Sequence, residues 1–178
     1  MFKTENIQAA FETLGKETIQ QARSNLSRKG MNVSKKLYDS MRYEIDLFPK
    51  SFSFIIYMNK YGLFQDEGVK GATSTYSKST NSPYKYTNDF PPRKAIDQWV
   101  VRKGLGGTRN AEGQFISRKS MVYLIRRSIF NKGIEATNFF TRAFELKFKR
   151  FAPKVEEAFE ADFNQMLNFI RKQNRNLN

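Results

Sequence analysis

The sequence predicts an α+β fold: a long amphipathic N-terminal helix packed on a small antiparallel sheet, an inserted helix pair, and a long C-terminal helical segment. Three observations carry this. Apolar residues recur three or four apart near the N-terminus, alternate with polar ones over residues 43–59, and return as rings at helical spacing towards the C-terminus. A chain of 178 residues fits a single domain, 1–178, with enough length to bury a core.

The first helix spans Glu5 to Lys29. Ile7, Ala10, Phe11, Leu14, Ala22 and Leu26 form its apolar stripe, Thr4 is placed to cap its start and Gly30 to end it. "VSKKLYDSMR" reads as a second, shorter helix with Val33, Leu37 and Met41 on one face and Asn32 as its cap.

The period then drops to two. Tyr43, Ile45 and Leu47 alternate with charges, Pro49-Lys50 makes a turn, and Phe52, Phe54, Ile56 and Met58 line one face of the return strand. A lone hairpin is marginal in water, so its apolar face requires the first helix, or its edges require strands from elsewhere. With few other strand candidates in the chain, a neighbouring subunit is one supplier.

Residues 61–92 read as an extended loop or arm, opening with the turn "KYGLFQDEGVKG" and continuing as a run of Ser, Thr, Asn and Tyr without a helical stripe. Residues 93–132 read as an inserted helix pair. Pro91-Pro92 start its first helix, which keeps Ile96, Trp99 and Val100 on one side and stops at Gly104. Ser117 caps its second helix, with Met121, Leu124, Ile125 and Ile129 inside. Helices over 134–176 carry Phe140, Phe144, Phe148 and Phe151, then Val155, Phe159, Phe163, Met166 and Ile170, with a kink or break expected at Pro153. Rings repeating on one helical face suit core or subunit contact better than stacking on bases.

Apolar residues make up 39% of the chain, and 17 Phe imply a core built of rings. Neither Cys nor His occurs, which excludes disulfides, thiolate or imidazole metal sites, cysteine nucleophiles and a histidine base. The net charge of +14 divides as +4 over residues 1–60, +3 over 61–116 and +7 over 117–178. Such a balance favours nucleic acid, an anionic membrane or an acidic protein as partner. No apolar run reaches the ~20 residues needed to span a bilayer, and the N-terminus lacks a signal-peptide core, so the chain is expected in the host cytoplasm when made.

Catalytic chemistry finds little support. Asp66, Glu67 and Lys70 invite comparison with metal-dependent nucleases, yet adjacent carboxylates on an extended chain point to opposite sides, and the preceding strand ends in Met58, Asn59 and Lys60 without a further acid. "GLGGTRNAEG" lacks the Gly-Lys-Ser/Thr ending of a phosphate loop and follows a helix rather than a strand. Tyr123 lies in an apolar row with no histidine to assist it. The expectation is a non-enzyme with no catalytic residue, cofactor or metal.

Leu37 and Ser40, then Tyr61, Glu67 and Gly68, then Phe139, Phe140 and Ala143 give the chain a pattern that resembles the tail-completion, or head–tail joining, proteins of tailed bacteriophages. The likeness covers about two-thirds of the chain. Residues 72–132 stand as a large insertion, and the helix after Pro153 is longer than the pattern asks for. The resemblance implies a structural virion subunit of the neck, in a homo-oligomeric ring of about six or twelve copies around the DNA channel, next to portal, connector or tail proteins. Candidate subunit-interface residues are Tyr61, Phe64, Asp66, Glu67, Tyr76, Tyr84, Tyr86 and Trp99. Arg118, Lys119, Arg126, Arg127, Lys147, Lys149 and Arg150 are candidates to face the DNA channel diffusely. The alternative is a basic nucleic-acid-binding protein of a phage or mobile element.

Overall fold

The computed structural model describes residues 4–48 and 51–175. In chain order the elements are α1 (Glu5–Arg28), α2 (Lys36–Ser40), β1 (Arg42–Phe48), β2 (Ser51–Tyr57), α3 (Tyr61–Asp66), β3 (Val69–Lys70), α4 (Arg93–Arg102), α5 (Arg118–Lys132), β4 (Gly133–Ile134) and α6 (Thr141–Arg175). The expected α+β class holds. Length alone suggested one domain, but two compact units form: Met1–Asn25, Ser40–Met58 and Phe140–Asn178 in the first, Leu26–Asp39 and Asn59–Phe139 in the second. The chain leaves the first unit and returns to it twice.

In the first unit, β1 and β2 pair antiparallel in the register Tyr43↔Ile56 and Ile45↔Phe54, which places these four apolar residues on one face. The turn assigned to Pro49-Lys50 lies outside the described residues. That face meets α1: Phe11 lies 4.5 Å from Phe52 and 5.6 Å from Phe54, ring centre to ring centre. Gly15, in mid-helix, gives up helix propensity of about 1 kcal/mol, and the absence of a side chain lets the Tyr43 ring lie where a Cβ would be only 2.6 Å from it. Ile7, Phe11, Leu14 and Phe151 form the buried cluster, with Ile45, Phe54, Val155 and Ala158 packed around it.

Pro153 neither ends nor divides the last helix; α6 is one element of 35 residues that passes through it. Proline removes the hydrogen bond to the Lys149 carbonyl, but Lys149 and Pro153 are both exposed, so the loss falls on the solvent side of the helix. Phe151, Val155 and Ala158 meanwhile hold both sides of the proline in the core. The second helix is shorter than the spacing predicts, because Lys35 adopts a positive φ of 53° and delays its start to Lys36, beyond the reach of an Asn32 cap. Leu37 and Met41 are buried as expected.

In the second unit, β3 and β4 form a two-stranded sheet that two-residue segments cannot announce by periodicity. Lys70 makes an additional parallel bridge to Lys85. The polar run after Gly71 is therefore held rather than free. Ser79 and Ser82 are buried: Ser79 Oγ donates to the Ile134 carbonyl at 2.8 Å and accepts from Ala136 N at 2.8 Å, and Ser82 Oγ donates to the Gly68 carbonyl at 2.7 Å. Residues 61–92 thus contain a helix, a strand and a short 3₁₀ turn at Ser77–Ser79 where the composition suggested an arm. Hydroxyls replaced apolar side chains as the anchors, which is why no hydrophobic pattern marks them.

Pro92 precedes α4, and Ser117 caps α5 by accepting from Ser120 N at 3.1 Å, both as the sequence indicates. Val100 and Val122 are the buried residues of this pair; Leu124, expected inside, is 49% exposed, and Trp99, on the same side as Val100 in the sequence reading, is 38% exposed. Among the described residues no helix is long and apolar enough to cross a membrane.

Candidate assembly and nucleic-acid surfaces

The eight residues assigned to a subunit interface separate into two groups. Asp66 is buried, and its carbonyl accepts from Thr137 N at 3.0 Å and Asn138 N at 2.9 Å, so it braces the second unit from within. Its carboxylate is not displayed to a neighbour, a correction that follows from α3 folding inwards where an extended turn was expected. Phe64 packs edge-on to Tyr84 at 4.7 Å, and Tyr86 lies 6.1 Å from Phe130, with burial pushing its phenol upwards in pKa. Glu67 is half-buried at the end of α3, where its N–H donates to the Leu63 carbonyl. Tyr61, Tyr76 and Trp99 keep open surface.

The basic candidates also divide. Arg126 Nε donates to the Pro91 carbonyl at 2.6 Å and its guanidinium lies 5.5 Å from the Phe90 ring centre, fastening the start of α4 to α5. Lys147 is largely covered and donates to Glu17 at 3.0 Å, which lowers the Glu17 carboxyl pKa. Both have structural duties. Arg118, Lys119, Arg127, Lys149 and Arg150 are exposed. The first three of these lie on α5 in the second unit, the last two on α6 in the first.

Helical spacing identified the rings of α6 but not how many would remain uncovered. Phe151 is buried and Val155 half-buried, whereas Phe148, Phe159, Phe163, Phe169 and Ile170 are 47%, 55%, 42%, 57% and 46% exposed. Phe159 and Phe163 stack on each other at 6.3 Å, one turn apart. At 100° per residue, Phe148, Phe159, Phe163 and Ile170 occupy a strip beside the face that Phe151, Val155 and Ala158 turn to the core. An apolar strip of this length outside the core is the usual mark of an interaction surface.

The residue that sequence reasoning missed in this unit is Asp162, fully buried on α6. Its carboxylate accepts from Asn6 N at 3.2 Å, Asn6 Nδ2 at 2.6 Å and Ile7 N at 3.0 Å. Asp162, one of two acids between Phe159 and Phe163, gives no local signal of that role, because its partners lie more than 150 positions away.

No protein-family model matches this chain, and no curated protein or solved structure shows significant similarity to it.

Proposed function

We propose that the chain is a structural subunit that assembles with copies of itself into a ring, as a component of a bacteriophage head–tail connector joining portal to tail around the DNA channel. The observation that carries the assembly reading is the exposed apolar strip of α6, whose rings cost free energy in water and are relieved by a partner face. The β1–β2 hairpin supports it, since each strand has one neighbour among the described residues and leaves an edge to pair with another chain. Placement at the neck rests on the pattern of Leu37, Ser40, Tyr61, Glu67, Gly68, Phe139, Phe140 and Ala143.

Native mass spectrometry with negative-stain imaging of the purified chain tests the ring. A closed oligomer of defined copy number is expected, and Phe159→Ser with Phe163→Ser should give monomers whose far-ultraviolet circular dichroism is unchanged. A wild-type chain that stays monomeric, and also fails to join a portal complex, overturns the reading.

A further inference from the structure

The α4–α5 pair concentrates the charge of the chain. Between Arg93 and Lys132 ten Lys and Arg stand against two acids, a net +8 of the total +14. An open cleft on this pair is lined by Arg93, Lys94, Asp97, Arg118 and Lys119. Asp97 does not cancel that charge so much as orient it. Arg118 Nε donates to its Oδ1 and Nη2 to its Oδ2, both at 2.7 Å, a bidentate pairing that fixes the guanidinium plane. Two of the five N–H donors of Arg118 are used in this way, leaving three directed elsewhere. Arg93, Lys94 and Lys119 are in no ion pair among the described residues.

We infer that this cleft binds the phosphodiester backbone of nucleic acid, with Arg118 as the oriented contact, Arg93, Lys94 and Lys119 as flexible ones, and Asp97 as a positioning residue. A fixed planar fork beside mobile cations suits a row of phosphates, which present bidentate oxygens at one point and diffuse charge along a line. Phe115 and Tyr123 are also exposed on this segment, and the Arg109 guanidinium lies 3.9 Å from the Phe115 ring centre, a cation beside a flat ring. The five side chains that line the cleft are all charged, which suits a polyanion more directly than insertion into a bilayer. The cleft lies wholly in the second unit, and single chains suffice to display it, so it stands or falls apart from ring formation.

Fluorescence anisotropy of a short labelled DNA duplex, titrated with the full chain over a series of salt concentrations, tests the site. Each phosphate contact contributes about 0.9 to the slope of log affinity on log salt, so Arg93→Gln, Lys94→Gln, Arg118→Gln and Lys119→Gln together should lower that slope by about 3 to 4 and weaken binding at least ~10-fold. Removing four exposed cations from α6, by Arg142→Gln, Lys149→Gln, Arg150→Gln and Lys154→Gln, should cost clearly less; equal losses from the two sets overturn the assignment, as does wild-type preference for phosphatidylserine vesicles over the duplex. Two single variants keep the test decisive if the fourfold one fails to fold. Arg118→Lys retains charge but not the fork, and several-fold weaker binding at an unchanged salt slope is expected. Asp97→Asn raises the net charge yet should weaken binding; tighter binding would overturn its positioning role. Light-scattering mass of every variant, read beside the anisotropy, separates loss of the site from loss of assembly.

Discussion

Asp162 accepts a hydrogen bond from the backbone N–H of Ile7 at 3.0 Å, joining the first turn of α1 to the middle of α6 by a single buried carboxylate. Thr4 occupies the cap position, its carbonyl accepting from Gln8 N, yet the amides of Asn6 and Ile7 are served from α6. A negative group at a helix N-terminus meets both the unpaired N–H groups and the positive end of the helix dipole. Asp162→Ala leaves the buried Ile7 amide and the part-buried Asn6 amide without this acceptor and should destabilise the first unit by about 2 to 4 kcal/mol. Urea unfolding followed by circular dichroism measures this, and a loss below ~0.5 kcal/mol would show that other groups serve those amides.

Gly68 sits at a φ of +74°, and a Cβ there would collide with Ser79 Oγ and stand 2.6 Å from the Ile134 carbonyl oxygen. Backbone conformation and space thus both demand glycine. Gly68→Ala should break the Ser79 bridge between the polar run and residues 134–136, and melt the second unit at lower temperature than wild type. Removing residues 74–88 should do the same more severely, since Ser79, Ser82 and the Tyr84 carbonyl leave together. Hydrogen exchange read peptide by peptide checks both, with protection lost over residues 61–72 and 130–139; retained protection there would mean that the run is dispensable to its own unit.

The parts of this fold legible in the sequence are those that bury a periodic apolar face: α1, the hairpin, α4, α5 and the stripe of α6. Periodicity arises because one side of such an element must be apolar, so a long run states its own type. β3 and β4 have two residues each and so no period, and their sheet depends on hydroxyls of Ser79 and Ser82 that resemble solvent-facing loop residues. The same limit applies to the surfaces. Charge counting reached Arg118 and Lys119 but could not foresee that Asp97 orients the former, or that Arg126 and Lys147 are engaged by Pro91 and Glu17. Helical spacing grouped the α6 rings correctly and left open which of them the core would cover.

Thr18 is fully buried on α1, and its hydroxyl has no hydrogen-bond partner among the described residues. The hydroxyl was dehydrated on folding without a replacement acceptor, a penalty that valine of the same shape does not carry. Thr18→Val should therefore stabilise the protein by about 1 kcal/mol, an unusual sign for a substitution in a core. Thermal unfolding at neutral pH checks it, and a lower melting temperature would mean that the hydroxyl has an acceptor in solution.

The Glu17–Lys147 pair sets a pH dependence whose sign follows from its surroundings. The hydrogen bond and charge of Lys147 hold the Glu17 carboxyl below its ordinary value, with Lys154 and Arg150 adding smaller pulls in the same direction. A depressed carboxyl contributes stability that is present above its unfolded pKa and is lost as pH falls through the lowered folded one. Glu17 is 44% exposed, so solvent screening keeps this to a fraction of ~1 kcal/mol. Glu17→Gln should nonetheless cost more than an ordinary surface pair, because Lys147, at 17% exposure, is then left among Arg150 and Lys154 without its ion-pair partner among the described residues. The difference in unfolding free energy between wild type and Glu17→Gln, followed from pH 7 down through the carboxylate range, should shrink towards zero at the acid end. A difference that stays constant with pH would show that Glu17 acts through packing rather than through its charge.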